Sequence, residues 1–157
     1  MTSTDLADLL AALGYAAVYA FASGLLLVAS YYVLDLITPG HLGTHLRGVD
    51  SDGNESVHAQ SKSAAVVTSA WLASNALVIF TAIWRNGDSD LGLALAATVA
   101  FGVFGILLNT IMFFVIEAIT PGDLRSIVCQ PGPVRPLAWV AASIALSVAA
   151  IVCASIA

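Results

Sequence analysis

The sequence predicts an all-α membrane protein in which four transmembrane helices form two parallel two-helix repeats. Three observations lead to this prediction. The chain is 59% apolar and only 10% charged, whereas soluble domains carry about 25% charged residues. Four uncharged stretches are each long enough to cross a bilayer. The motif Ile37-Thr-Pro-Gly40 returns as Ile119-Thr-Pro-Gly122, 82 positions further along the chain.

The four uncharged stretches have the lengths of membrane-spanning helices. About 20 helical residues cross the hydrocarbon core, and helix is the expected state because lipid offers the backbone no hydrogen bonds. The stretches are Leu9–Leu34, Ser63–Trp84, Leu91–Ile116 and Pro136–Ala157. They are joined by a polar segment at 47–62, which predicts a flexible loop, by a tight turn at 85–90 and by a proline-rich link at 129–135.

Charge and cysteine content narrow the classes of partner. A net charge of −5 disfavours nucleic acid, whose phosphates would be repelled. The first residues are acidic where a secretory signal needs positive charge, so we predict no signal peptide. Cys129 and Cys153 lack metal-type spacing and are predicted to be free thiols. We expect no cofactor and no metal, and we predict membrane lipid, further copies of the chain or other membrane proteins as partners.

The basic residues predict the orientation in the membrane. Arg85 lies on the side that carries both termini and the acidic residues Asp5, Asp8, Asp88 and Asp90. The other four basic residues lie on the two longer connections: Arg47, Lys62, Arg125 and Arg135. Because short loops rich in Lys and Arg stay in the cytoplasm, both termini are predicted outside and the Thr-Pro-Gly turns inside.

The repeated motif predicts an internal duplication, with residues 1–86 as the first two-helix unit and 87–157 as the second, together forming one membrane domain. Two spans per unit is an even number, so both copies enter the membrane in the same sense. They are therefore predicted to be parallel, related by a pseudo-two-fold axis along the membrane normal.

The motif itself predicts how each long helix ends. Proline disfavours helix at the residue before it, so the long helices should end near Ile37 and Ile119. We expect the threonines to cap a second, short helix that lies in the cytoplasmic interface; a plain turn is the alternative. The predicted interfacial turns comprise Thr38, Pro39, Gly40, Thr120, Pro121 and Gly122.

These motifs resemble a bacterial membrane-protein family known as domain of unknown function 350. The resemblance rests on Ile37-Thr-Pro-Gly40 followed by Ser63-Ala-Ala65, and on Ile119-Thr-Pro-Gly122 followed by Pro136-Leu-Ala138. It covers nearly the whole chain. It implies a four-span protein of the bacterial inner membrane with no established activity, and a link to envelope stress.

Two acidic residues occupy equivalent positions in the two units. Asp35 and Glu117 lie at the cytoplasmic ends of the long spans, where the helix dipole disfavours negative charge. We expect a compensating partner, such as Arg47 or Arg125, a cation, a proton or water. The pair suggests either a site for protons or a small cation, or two interfacial carboxylates that reach headgroup water.

Polar and small residues within the spans predict helix contacts. Asn75 and Asn109 lie about half-way along spans two and three, and each needs a partner in hydrocarbon: the other asparagine or Ser74. They serve either as structural contacts or as part of a polar pathway. Rows of small residues at four-residue spacing permit close helix approach. The rows are Ala12, Ala16, Ala20 and Gly24; Ala94, Thr98 and Gly102; and Ala141, Ala145 and Ala149.

The histidines His41, His45 and His58 lie in the first cytoplasmic segment. His41 and His45 would share a helix face and, with Asp50 or Asp52, have the residue types of a metal site. The second unit has Asp123 and Ile127 at these positions, so surface histidines are the favoured interpretation.

Three functions compete. The preferred one is an interaction or scaffold subunit. The alternative is a small ion or proton channel or transporter that uses Asp35 and Glu117. An enzyme is least favoured, because no catalytic motif is found, and we predict that the chain is not one.

Overall fold

The computed structural model describes residues 3–49, 52–87, 90–120 and 123–157. Of the described residues, 84% are helical, and they form six α-helices and one 3₁₀ helix, Val57–Ala59. Four helices are long and apolar enough to cross a membrane. They are α1 (Ser3–Ile37), α3 (Lys62–Asn86), α4 (Leu91–Ile119) and α6 (Pro136–Ile156). The short helices α2 (Leu42–Arg47) and α5 (Leu124–Cys129) follow α1 and α4.

The long helices that precede the Thr-Pro-Gly turns end where the sequence predicts. Helix α1 ends at Ile37 and α4 ends at Ile119, each two residues before the proline. A short helix follows each turn, so the plain-turn alternative is excluded. Pro121 and Gly122 lie outside the described residues, whereas Gly40 has a φ of 78°, in the left-handed region that favours glycine.

The predicted caps of the short helices are wrong. The N-cap residues of α2 and α5 are His41 and Asp123, three positions later than the expected threonines. The Thr38 hydroxyl instead donates to the Leu34 carbonyl in the last turn of α1, and Thr120 ends α4. Both threonines therefore bond to the last turn of a long helix, Thr38 through its hydroxyl and amide and Thr120 through its amide.

The apolar sides of the short helices pack on protein. Leu42, Leu124 and Val128 are almost completely buried and belong to one apolar cluster with Leu34 and Trp71. The apolar sides of the short helices therefore face the protein interior, and their predicted position in the cytoplasmic interface stays a prediction.

Helix α3 is the central helix of the bundle and packs against α6, α4 and α1. In an 18-residue apolar segment of α3, 44% of the residues are buried, compared with 6% in the corresponding segment of α1. Glycine permits a close approach between α4 and α3: a Cβ atom on Gly105 would lie 3.2 Å from Val78 Cγ1. A Cβ atom on Gly102 would lie 2.8 Å from Leu26 Cδ1, between α4 and α1.

The two longer connections contact each other, so they lie at the same end of the bundle. Ser61 and Gly132 form a parallel β-bridge. The Ser61 hydroxyl donates to the Val128 carbonyl at 2.6 Å, and the Arg135 amide donates to the Ser63 hydroxyl at 3.0 Å. This contact agrees with a parallel arrangement of the two predicted units.

The second helices of the two units bury matching positions. In α3 these include Ala64, Val67, Asn75 and Val78, and 74 positions later in α6 they include Ala138, Ala141, Ala149 and Val152. Matching burial is what a duplicated hairpin predicts. The duplication and its boundary at 86–87 stay predictions.

The connection between α2 and α3, as far as it is described, is held by contacts of its own. Val49 and Glu55 form an antiparallel bridge, and the Arg47 guanidinium donates to the Glu55 carboxylate, with Nε at 2.9 Å. Gly48 ends α2 with a φ of 73°. A Cβ atom on Gly48 would lie 2.8 Å from the Gln60 amide nitrogen and closer still to the Ser56 carbonyl oxygen.

We expect Gly48→Ala to lower the free energy of unfolding by about 2 kcal/mol, because left-handed backbone costs about 1 to 2 kcal/mol for other residues and the new methyl also meets backbone atoms. Gly53→Ala is the matched control: its φ is 82°, but nothing lies within 4 Å of the added methyl. Unfolding of both variants in detergent measures the difference. Equal losses would contradict the close approach at Gly48.

Candidate functional site

Five buried residues from three spans form a hydrogen-bonded group, which we call the polar layer: Ser30, Trp71, Ser74, Asn75 and Asn109. Helix α3 supplies three of them, because positions 71, 74 and 75 lie on one helix face at spacings of three and four. Each of the five is at most 2% exposed. The polar layer is therefore buried within the bundle, where lipid cannot supply hydrogen bonds.

Within the polar layer α3 is bonded to α1. The Trp71 indole Nε1 donates to the Ser30 carbonyl at 3.0 Å. Asn75 Nδ2 donates to the Ser30 hydroxyl at 3.0 Å and to the Trp71 carbonyl at 2.9 Å. Two side chains on α3 thus converge on one serine of α1, which fixes the register of the two helices.

The bond from α4 to α3 involves both partners that the sequence suggests for Asn109. Asn109 Nδ2 donates to the Ser74 hydroxyl at 2.8 Å, and it lies 3.4 Å from Asn75 Oδ1, a long contact. Ser74 in turn donates to the Trp71 carbonyl at 2.8 Å. Interhelical hydrogen bonds of this kind contribute about 0.6 to 2 kcal/mol in membranes.

Sequence reasoning missed Trp71 and Ser30 in the polar layer. A signal was present for Trp71, because tryptophan in a span is enriched at the membrane–water interface, whereas Trp71 lies well inside α3, which spans Lys62–Asn86. Its ring also packs edge-on against Phe113, with centroids 6.3 Å apart. Ser30 gives no such signal, since serine is common within spans.

The acidic residues Asp35 and Glu117 each have a partner in the following short helix. Asp35 Oδ1 accepts a hydrogen bond from the Leu42 amide at 2.5 Å and so satisfies the first turn of α2. His41 Nδ1 lies 3.8 Å from the other carboxylate oxygen. The Arg47 guanidinium pairs with Glu55 instead, so the suggested Asp35–Arg47 pair is wrong.

Glu117 forms the expected pair with Arg125. Arg125 Nε lies 2.7 Å from Glu117 Oε1, and the guanidinium carbon lies 5.8 Å from the centre of the Phe114 ring. The Glu117 side chain is 16% exposed. Each carboxylate therefore joins a long helix to the short helix after it, through a backbone amide in one unit and an arginine in the other.

The histidines are dispersed among different partners. His45 Nε2 lies 3.1 Å from the Pro39 carbonyl oxygen, whereas His41 faces Asp35. Within the described part of the chain, no three His, Cys, Asp or Glu side chains come together as a metal site. Asp50, one of the suggested ligands, lies outside the described residues.

Cys129 is a buried thiol at the contact between the two connections, and its sulfur lies 3.5 Å from the Pro39 carbonyl oxygen. Burial raises the pKa of Cys129 from 9.0 to about 11, and the Asp123 carboxylate adds to the rise. A raised thiol pKa favours the neutral form in the folded chain. The stabilisation of the folded chain by the neutral thiol is therefore complete below pH 9 and is lost as the pH rises through 11.

We expect Cys129 in the folded chain to react with a thiol reagent at pH 8 at least about 100-fold more slowly than in the unfolded chain, because the thiolate is the reactive form. Timed alkylation in a Cys153→Ser background measures the ratio. Similar rates in the two states would contradict both the burial and the raised pKa.

Comparison with known proteins agrees with this architecture. The sequence model of Domain of Unknown Function (DUF350) matches residues 8–156. A "UPF0719 transmembrane protein" of Mycolicibacterium paratuberculosis (strain ATCC BAA-968 / K-10) is 30% identical over 137 residues, which cover 87% of this chain and 83% of the relative. No solved structure matches. The match spans all four membrane helices, and the chain is therefore a multi-pass membrane protein that belongs to the DUF350 family.

Proposed function

We propose that the chain is an interaction subunit of the bacterial inner membrane that assembles with further copies of itself through α1. The supporting observation is the exposure of this helix. In its 18-residue apolar segment 6% of the residues are buried, against 28–44% in the other spans. The outer part of α1 also carries the row Ala12, Ala16, Ala20 and Gly24, and nothing lies within 4 Å of a Cβ atom built on Gly24. Rows of small residues let membrane helices approach closely.

Disulfide cross-linking tests this proposal in membranes. In a Cys129→Ala, Cys153→Ser background, Ala16→Cys is expected to form dimers, because Ala16 belongs to the row of small residues. Leu25→Cys is the matched control, since Leu25 is exposed and lies on the opposite side of α1. Equal cross-linking at the two positions, or none at Ala16, would count against self-assembly through this face.

A second pair of variants tests packing. Gly24→Leu is expected to weaken self-association at least tenfold, because the side chain would separate two closely packed helices. Gly14→Leu should have little effect, since Gly14 is also open but lies outside the row. Energy transfer between fluorescently labelled chains in liposomes measures the dissociation constants.

Both acidic residues are bonded to groups of the protein, which favours an interaction subunit over a transporter. Asp35 and Glu117 are each held by a partner within their own unit, which leaves less of their charge for an ion in transit. In liposomes, we expect the same proton flux from the unchanged chain and from the Asp35→Asn, Glu117→Gln variant. A flux that this variant abolishes would favour the channel. The proposal assigns the chain no enzymatic activity.

We further propose that both termini lie outside the cell. The four basic residues of the longer connections gather at the end of the bundle where those connections meet, and such residues favour the cytoplasm. In the same cysteine-free background, Asn86→Cys should react with a membrane-impermeant reagent in whole cells, and Thr44→Cys only after lysis. The reverse pattern would invert the orientation. The link to envelope stress stays a prediction from the resemblance.

A further inference from the structure

Asn109 has an unpaired hydrogen-bond acceptor in the centre of the bundle. The residue is 2% exposed, and its Oδ1 atom has no partner among the described residues. Its Nδ2 group is directed at Ser74 and Asn75. A buried acceptor without a partner is unfavourable, and lipid offers no substitute for one.

The neighbours of Asn109 fix which end of its amide is unpaired. Asn75 Nδ2 already donates to α1 and to the Trp71 carbonyl, so Asn75 presents its oxygen to Asn109. An exchange of the Asn109 nitrogen and oxygen would place two carbonyl oxygens against each other. The amide therefore keeps its nitrogen towards α3 and leaves the oxygen in need of a donor.

A small cavity lies beside Asn109, between α3, α4 and α6. Its walls include Val67, Trp71, Phe113, Ala141 and Ala145, and it offers a water molecule about 10 Å³ of space. Roughly 10 to 15 Å³ is the space that one water needs. Asn109 and Trp71 are the two lining residues with polar side-chain nitrogen or oxygen, and the Trp71 indole is bonded to Ser30. The Asn109 oxygen is therefore the unsatisfied side-chain acceptor of this cavity.

We propose that this cavity binds one water molecule, which donates a hydrogen bond to Asn109 Oδ1. The second hydrogen bond of the water would go to a backbone carbonyl of a lining helix, because a helical carbonyl that accepts one amide keeps a second lone pair. The bound water completes the hydrogen bonds of Asn109 in a cavity that α6 lines with apolar side chains. The inference is independent of how the chain assembles.

Solid-state NMR of the full chain in lipid bilayers tests the water site. In perdeuterated protein with ¹⁵N-labelled asparagine, we expect magnetisation from water to reach the Asn109 side-chain amide several-fold faster than the Asn75 amide. Asn75 is the internal control, because it is equally buried but has no unpaired side-chain atom. Equal rates at the two asparagines would overturn the proposal without any variant.

A cavity-filling variant separates a water in this cavity from water that arrives by another route. Ala145→Leu is expected to slow the transfer at Asn109 to the rate at Asn75, because the added side chain occupies the cavity. Ala73→Leu is the matched control on the exposed side of α3 and should leave the transfer unchanged. Fast transfer that persists in a folded Ala145→Leu variant would place the water elsewhere. Should Ala145→Leu not fold, the wild-type comparison still decides.

Discussion

Trp71→Ala is expected to lower the free energy of unfolding by about 3 to 5 kcal/mol, the usual effect of removing a buried tryptophan. The side chain is 1% exposed and packs against Phe113. Its removal leaves a void at the centre of the bundle, and the Ser30 carbonyl loses the indole donor. Equilibrium unfolding in mixed detergent micelles, followed by helical circular dichroism, measures the change.

Two further variants identify the cause of this loss. Trp84→Ala removes the same side chain from the same helix at a position that is 80% exposed, and we expect a change within about 0.5 kcal/mol. Trp71→Phe retains most of the packing but removes the donor, so it should cost about 1 kcal/mol. Similar losses from Trp71→Ala and Trp84→Ala would show that the bundle does not depend on the polar layer.

Gly105→Leu is expected to lower the free energy of unfolding by about 3 kcal/mol, the upper part of the range for overpacking. The first carbon of the new side chain would already lie 3.2 to 3.4 Å from three atoms of Val78, and the remaining carbons have no space between α4 and α3. The helices must therefore separate at this point. Since Asn109 lies one turn further along α4, its bond to Ser74 should also weaken, which the NMR shift of the Asn109 amide reports.

Gly14→Leu is the control for Gly105→Leu. Both substitutions replace a helical glycine and so gain up to about 1 kcal/mol of helix propensity, but nothing lies within 4 Å of a Cβ atom on Gly14. We expect Gly14→Leu to be neutral or slightly stabilising. If Gly105→Leu behaves in the same way, the close contact between α4 and α3 is wrong.

The parts of the fold that follow from local or solvent rules could be predicted from the sequence. Pro39 and Pro121 act on the residues just before them, so the ends of α1 and α4 were predictable. Asn75 and Asn109 are polar side chains in the hydrocarbon core of a membrane, which offers them no hydrogen bonds. We therefore expected each to bond to the other or to a nearby residue. Neither inference needs knowledge of distant contacts.

The parts that depend on contacts distant in sequence were not predictable. The bonds of Ser61 to Val128 and of Ser63 to Arg135 join residues about 70 positions apart, and hydroxyl groups of this kind are common in any loop. The role of Asp35 was missed for a different reason: its oxygen reaches the Leu42 amide only because α2 begins three residues later than the proline rule suggests. Ser30 became identifiable only when α3 was placed beside it.

The arrangement of the polar layer also bears on the order in which the chain enters the bilayer during synthesis. Both donor bonds of Asn75 go to atoms of α1 or of α3 itself, so the first hairpin to leave the translocon carries its own partners for this amide. Asn109 emerges later and meets acceptors on a helix already inserted. The alanine-lined helix α6 comes last, when its neighbours are in place, and brings no polar side chain into the cavity beside Asn109.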